Sequence, residues 1–255
     1  MIRTQTKYKH LFFDLDHTLW DFKSNSERAM RLCLGQLNIL PLLTSFADFF
    51  AFYEGVNDRL WDEYRQGTTT KEELRSRRFA EPFAHFGIKH DAEQANSIYL
   101  DLMSEQTQLF PGCTELLSEL KVLGYQLHII SNGFVEVQHK KMQSAGIAHF
   151  FQSITLSETV SAPKPKAAIF EYALRNVNAR KSESIMMGDD WNNDVIGAIN
   201  FGIDAVLFQA KRPNYTEVLQ IEDYNAYSTL HLDRSPKCQC FWVANLLDII
   251  PLLAH

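Results

Sequence analysis

The sequence predicts an α/β protein: a doubly wound parallel sheet interrupted, directly after its first strand, by an all-helical insertion. Three observations predict it. Short apolar runs, beginning with Leu11-Phe12-Phe13, have the length and composition of strands buried on both faces. From Pro111 onward such runs alternate with segments of helical period, as they do in parallel sheets. Between Ser24 and Gln108 no run reads as a strand, and apolar residues recur only at helical intervals.

Taken in order, Leu11–Phe13 is the first strand. Ser24-Asn25-Ser26-Glu27 offers N-cap chemistry to a helix carrying Ala29, Met30, Leu32, Cys33, Leu34 and Leu37. Phe46 to Trp61 is helical in spacing through Phe46, Phe49, Phe50, Tyr53, Val56 and Leu60. Gly67 breaks it, and Thr70-Lys71-Glu72-Glu73 is a capping box that opens the next helix. Gly87 ends that segment, and Asp91-Ala92-Glu93 opens another that runs to about Glu105. Together these form a helical bundle, a domain of its own over residues 22–109, inserted into a core made of residues 1–21 and 110–255. Pro111-Gly112 starts a helix with Leu116, Leu117, Leu120 and Leu123 on one face, stopped by Gly124. Strands are expected at Tyr125–Ile130, Phe151–Leu156, Ser184–Met187 and Ile203–Phe208. Helices are expected at Val135–Ala145, Lys166–Val177 and Asn192–Asn200. Beyond Phe208, Asp223–Leu232 reads as a loop or an edge strand, and Trp242–Leu253 as a terminal helix.

The composition bounds the function. The chain has 255 residues, 45% hydrophobic and 22% charged, with a net charge of −6. That is an ordinary globular balance, long enough for a large core and a second domain. The mild acidity argues against a nucleic-acid polymer or an anionic membrane as partner. No apolar run approaches the roughly 20 residues that span a bilayer, and Met1–His10 lacks the apolar core of a signal peptide. Cys238 and Cys240 are too close for an ordinary disulfide, and no second ligand pair makes a zinc site with them. A cytoplasmic protein with reduced thiols, monomeric or homodimeric, is expected.

The chemistry is expected where strands run out into loops. After Leu11–Phe13 come Asp14 and Asp16, two carboxylates at alternate positions that point the same way along an extended chain. Burying two such charges unpaired is costly, so a cation or a proton belongs there. The pair is either part of an oxygen-ligand metal site or a nucleophile beside a general acid. Taken alone, an Asx turn or a helix cap would explain it as well. After Ile130, Ser131-Asn132-Gly133 offers a hydroxyl, an amide and a close backbone approach for an anion, or else an ordinary capped turn. Lys164, held between Pro163 and Pro165, is either a stiffened, aimed cation or a solvated loop residue. After Met187 comes Gly188-Asp189-Asp190-Trp191-Asn192-Asn193-Asp194; one aspartate can cap a helix, but three together point to a metal or a proton relay.

These motifs, in this order and each at a strand end, resemble the haloacid dehalogenase (HAD) superfamily of phosphohydrolases. The match rests on Asp14-x-Asp16-x-Thr18-Leu19, Ser131-Asn132-Gly133, Lys164-Pro165 and Gly188-Asp189-Asp190-x-x-x-Asp194. The resemblance implies a Rossmann-like HAD core with a helical cap, acting on a small phosphorylated metabolite with Mg2+ as cofactor. It implies that Asp14 takes the phosphoryl group and that Asp16 is general acid, then base. It implies that Asp14, the carbonyl of Asp16 and Asp189 hold magnesium, with Asp194 and Asp190 supporting them from outside. Ser131, Asn132 and Gly133 would bind phosphoryl oxygens, Thr18 would support the first loop, and Lys164 would keep Asp14 ionised. Asp190 departs from the small polar residue that relatives often carry.

Dehalogenase members lack the second acid of the first motif, so Asp16 favours phosphoryl chemistry. Within the helical insertion, Leu60-Trp61 through Gly67, Thr70–Leu74 and Arg77-Arg78-Phe79 are similar to bacterial nucleotidases acting on pyrimidine nucleoside monophosphates. Those side chains serve equally as bundle core and solvated face. A sugar-phosphate or phosphoglycolate phosphatase, a phosphomutase and a catalytically weak binding scaffold are the alternatives. A phosphorylation-switch receiver shares the acidic pair, hydroxyl and lysine, but is much shorter and lacks the helical insertion. Cap hinges are expected near Phe22–Ser24 and Leu109–Gly112.

Overall fold

Strand β1 (His10–Phe13) is buried along its whole length and lies between two parallel neighbours. The computed structural model describes residues 7–233 and 237–254, so the outermost residues of the expected core, 1–6 and 255, lie outside it. The chain divides into two compact units. One is Phe22–Thr107 together with Val137–Ala145; the other holds the rest, broken at Asp21, resumed over Gln108–Glu136 and again from Gly146.

The first unit contains helices α1 (Phe22–Gln36), α2 (Phe46–Gln66), α3 (Lys71–His85) and α4 (Ala92–Ser104). Ser45 caps α2, and Gly67 ends it with a positive φ of 77° that a side chain would disfavour. Thr70 and Glu73 form the reciprocal capping box at the start of α3, and Asp91 caps α4. The cap expected at Ser24–Glu27 lies inside α1 instead. Asn25 and Ser26 are buried there, and the Ser26 hydroxyl lies 2.8 Å from that of Tyr99, so these polar residues serve the interior. Phe79 is bundle core: it is fully buried, with ring centroids 5.4 Å from Tyr53 and 5.6 Å from Tyr99. Arg77 pairs with Glu63 and Glu81 on the exterior, whereas Arg78 is buried and donates through Nε to Asn96 at 2.7 Å. Trp61 meets Tyr64 edge-on at 5.7 Å.

The second unit is built on one eight-stranded sheet. After β1 come α5 (Cys113–Val122), β2 (Gln126–Ser131) and α6 (Val135–Ser144), whose residues from Val137 belong to the helical unit. Then follow β3 (Ser153–Leu156), a single turn α7 (Ser157–Val160), α8 (Ala167–Asn176) and β4 (Ser184–Gly188). One π-helical turn, Trp191–Ile196, leads into α9 (Gly197–Phe201) where a regular helix over Asn192–Asn200 is expected, and β5 (Asp204–Phe208) follows. The remaining strands are β6 (Val218–Asp223), β7 (Ser228–Leu232) and β8 (Cys240–Val243), and α10 (Ile249–Leu253) closes the described chain. The strand order is β3-β2-β1-β4-β5-β8-β7-β6. The pairs from β3 to β8 are parallel, and β7 and β6 add an antiparallel edge.

Two expectations past Phe208 need correction. Trp242 is not helical: Cys240-Phe241-Trp242-Val243 is an apolar run that pairs with β5, and the terminal helix begins only at Ile249. Asp223–Leu232 holds β7, which is not an edge strand, since it pairs with β8 on one side and β6 on the other; the edge is β6, largely exposed and so without a buried-strand signal.

Register makes the site. Phe13 is level with Ile129 on β2 and with Met187 on β4, so the carboxyl ends of the three central strands finish together. Below them, Phe12, Ile130, Met186, Ala205 and Leu207 form one core with Ile169, Phe170, Ala173 and Leu174 of α8 and Ala198 and Ile199 of α9. The alternate residues Leu11 and Phe13, equally buried, face the other side.

Near the opposite end of β1 sits a buried histidine pair. His10 Nδ1 and His128 Nε2 are 3.1 Å apart, and His128 Nδ1 is 2.9 Å from the Ser153 hydroxyl. Burial lowers the pKa of both, and that of His128, with the charges of His10 and Lys121 adding, falls to about 4 from 6.5. Folding therefore favours the neutral rings. Their stabilisation is present above pH 6.5 and is lost as pH falls toward about 4. Over that window the wild type is expected to lose several degrees of melting temperature relative to His128→Asn, measured by thermal scans of the two proteins at matched pH.

Candidate active site

Asp14, Ser131 and Asp189 leave the sheet at the level set by β1, β2 and β4, and Lys164 comes from the loop between α7 and α8. Asp14 follows β1 directly, and its N–H donates to the Met187 carbonyl at 2.8 Å, which ties it to β4. The chain then turns tightly: Leu19 and Trp20 N–H both return to the Leu15 carbonyl, and His17 takes a left-handed φ of 62°. Asp16 is half-buried, with a backbone bridge to Trp20, which in turn bridges to Leu109. Thr18, fully buried in the same turn, donates its hydroxyl to Asp189 Oδ1 at 3.0 Å.

Lys164 is the centre of the arrangement. It is 2% exposed, which excludes the solvated-loop reading. Its amine donates to Asp14 Oδ1 at 2.7 Å, to Asp194 Oδ1 at 2.6 Å and to the Ile130 carbonyl at 2.9 Å, so all three protons are used. The loop that carries it is clamped by Asn132, whose side chain accepts from the Lys164 N–H at 2.8 Å and donates to its carbonyl at 3.1 Å. Asn132 thus positions Lys164. Ser131 is buried, and its Oγ accepts from the Gly133 N–H at 3.1 Å. Glu158, which the sequence reading did not single out, accepts from the Val135 N–H at 2.8 Å and so caps α6.

The acidic loop after β4 divides its aspartates between two tasks. Asp190 faces the helix start, accepting from the N–H groups of Asn192 and Asn193, both at 2.9 Å, and from the Asn193 amide at 2.5 Å. Asp14, Asp189 and Asp194 instead converge, each with a carboxylate oxygen within 4.8 Å of the others. Asp194, expected outside the ligand set, stands in this group. Its approach requires the glycine at 188, where a Cβ would lie 2.2 Å from Asp194 Oδ2.

The electrostatics are those of an excess of negative charge in a dry place. Burial and the neighbouring charges of Asp194 and Asp14 push Asp189 up to about 8. Burial pushes Asp194 up to about 7, against the pull of Lys164, and raises Asp14 likewise. Burial alone would lower Lys164, but Asp14 and Asp194 outweigh it and hold the amine protonated. One ammonium cannot balance three buried carboxylates, and the donor set is all oxygen. The residues therefore fit a hard divalent cation in contact with Asp14, Asp189 and Asp194. Their mutual repulsion without a cation yields a stability prediction. Asp189→Asn, in which the Thr18 hydroxyl can still donate to the amide oxygen, is expected to raise the melting temperature in EDTA by several degrees, at about 2–4 °C per kcal/mol. Adding magnesium should raise the wild type and leave the variant nearly unchanged.

Among the described residues, no helix is long and apolar enough to cross a membrane. Comparison with known proteins agrees with the fold. The chain is 28% identical over 225 residues to the pyrimidine 5'-nucleotidase PynA of Streptococcus pneumoniae, covering 88% of this chain and 93% of that one. It is 30% identical over 198 residues to the pyrimidine 5'-nucleotidase YjjG of Escherichia coli, covering 77% and 84%. A crystal structure of the HAD-hydrolase YfnB from Bacillus subtilis, bound to magnesium, superposes with a TM-score of 0.80 at 24% identity over 98% of this chain and 100% of that one. The family described as haloacid dehalogenase-like hydrolases matches residues 8–202, which span β1 to the end of α9 and contain every aspartate of the site. By that match this chain belongs to the haloacid dehalogenase-like hydrolase family.

Proposed function

We propose that this protein is a magnesium-dependent phosphatase that hydrolyses small phosphate monoesters through a phosphoryl-aspartate on Asp14, with pyrimidine nucleoside 5'-monophosphates as its substrates. The observation that carries the chemistry is the Lys164 amine, 2.7 Å from Asp14 and 2.6 Å from Asp194, beside a cluster of carboxylates that a divalent cation would balance. The names of the relatives PynA and YjjG support the substrate class. The four free cysteines, three of them buried, suit a reducing cytoplasm.

In the first step an Asp14 carboxylate oxygen attacks phosphorus and the ester P–O bond breaks. Asp16 gives its proton to the departing alkoxide, so the alcohol leaves neutral. In the second, Asp16 takes a proton from water, the water oxygen attacks phosphorus, and the P–O bond to Asp14 breaks to release phosphate and regenerate the carboxylate. Lys164 favours the ionised form of Asp14 against its burial: its charge faces the attacking carboxylate, in a position fixed by Asn132 and the Ile130 carbonyl. In this reading Ser131 and backbone N–H groups of the loop after it would hold phosphoryl oxygens, the Gly133 N–H exchanging its bond to Ser131 Oγ for one to the substrate. Asp14, Asp189 and the Asp16 carbonyl would hold magnesium, with Asp194 beside them, and the ion would supply the second positive charge that lets an anion attack an anion.

The test is magnesium-dependent phosphate release over nucleoside monophosphates, sugar phosphates and phosphoglycolate. The expected result is a kcat/KM for pyrimidine monophosphates about tenfold or more above every other ester, the size of discrimination that a few specific contacts supply. Turnover spread evenly over the panel would remove the substrate class and leave the chemistry.

A further inference from the structure

We infer that Gln209, Tyr215 and Trp242, all beyond the family match, brace the Asp189–Asp190 peptide and thereby position the Asp189 carboxylate for its cation. The inference rests on the proposed metal role of Asp189.

The amide of Gln209, one residue past β5, donates through Nε2 to the Asp189 carbonyl at 3.0 Å. A carbonyl can only accept, so this contact sets which end of the amide faces the loop. The same Nε2 reaches the Tyr215 hydroxyl at 3.0 Å. On the other edge of that peptide, the Asp190 N–H donates to Asp194 Oδ2 at 3.1 Å. The peptide unit joining Asp189 to Asp190 is thus gripped through both its C=O and its N–H. The carbonyl carbon is bonded to the Cα that carries the Asp189 side chain, so holding this peptide in place fixes the backbone from which Asp189 Oδ1 meets Thr18 at 3.0 Å.

The brace is itself anchored. The Gln209 N–H donates to the Val243 carbonyl at 3.2 Å, and its carbonyl accepts the Trp242 indole N–H at 2.9 Å. Both partners belong to β8, so pairing of β8 with β5 fixes the backbone from which Gln209 reaches. The Tyr215 ring stacks on Trp191 with centroids 4.2 Å apart and planes 12° from parallel, and Trp191 is the residue next to Asp190. The acidic loop is therefore touched twice by the segment after β5, once at its backbone and once at its first aromatic side chain. Packing alone would be served by a leucine at 209; a partly buried amide aimed at a loop carbonyl serves orientation.

The experiment compares the full-length wild type with Gln209→Met, which keeps the volume and removes the amide, and Tyr215→Phe, which keeps the stack and removes the hydroxyl. Mn2+ binding is followed by electron paramagnetic resonance in the absence of any substrate, and thermal unfolding is recorded beside it. Gln209→Met should bind Mn2+ about tenfold more weakly, the size seen when an outer partner of a metal ligand is removed. Tyr215→Phe should weaken binding about threefold, as for one neutral hydrogen bond. The magnesium concentration giving half-maximal activity should rise by the same factors. Wild-type Mn2+ affinity in Tyr215→Phe and in any folded Gln209→Met would overturn the brace while leaving the metal site standing. A wild type that binds no Mn2+ would overturn the metal reading and the brace together.

Discussion

Asp14→Asn should lower phosphate release by about 10^4-fold or more, the loss expected when a covalent nucleophile is removed from a site whose other groups remain. The amide still offers one oxygen to a cation, and Lys164 keeps Asp194 and the Ile130 carbonyl as partners, so the fold and much of the metal affinity should survive. Thermal unfolding and Mn2+ binding separate that outcome from simple misfolding. A variant that melts like the wild type, binds the ion and has lost turnover isolates the attacking oxygen as the missing part. Activity within tenfold of wild type would mean that water attacks phosphorus directly and that Asp14 serves only the cation.

Lys164→Met should have the second largest effect, on rate and stability together. Among the described residues its ammonium is the side-chain cation that pairs with both Asp14 and Asp194, and withdrawing a fixed charge of this kind slows catalysis by about 10^2- to 10^3-fold. Breaking a buried ion pair from one side costs about 3–5 kcal/mol, because the partner is left charged and unpaired. For a chain of this size the melting temperature should fall on the order of 10 °C. Adding Asp194→Asn to Lys164→Met removes one of the stranded charges, so stability should return in part while the rate stays low. If stability and rate recovered together, Lys164 would be a structural residue alone.

How much of this could be read in the sequence follows from which signals are local. Asp14, Asp16, Ser131 and Asp189 stand out in the sequence because each ends or follows an apolar run, Lys164 because two prolines hold it, and all five because the groups recur in one order. The capping box at Thr70 and the cap at Asp91 were legible because both partners lie within one turn. The uses of individual groups were less so. Asp190 and Asp194 look alike in the sequence, and only the path of the Trp191–Ile196 turn assigns one to the backbone and the other to the lysine. Gly188 carried a signal, a glycine set before acidic residues, but the carboxylate that needs its missing Cβ is six residues away. Strand β8 was missed because its evidence is pairing with β5, across a hairpin that no periodicity announces. Gln209 was missed for the same reason: a lone amide after a strand has no pattern, and its importance lies in a carbonyl twenty residues earlier in the chain.

The central claim, that the phosphoryl group passes through Asp14, is tested most directly in Asp16→Asn with p-nitrophenyl phosphate. This ester leaves without help from an acid, so the first step should proceed while the second, which needs Asp16 as base, stalls. The expected result is a rapid release of one equivalent of nitrophenolate per protein, followed by a slow phase. Mass spectrometry of the acid-quenched protein should then place a phosphoryl group on the peptide containing Asp14. Release without an initial phase and with no phosphorylated peptide, or a phosphoryl group found on another residue, would contradict the account.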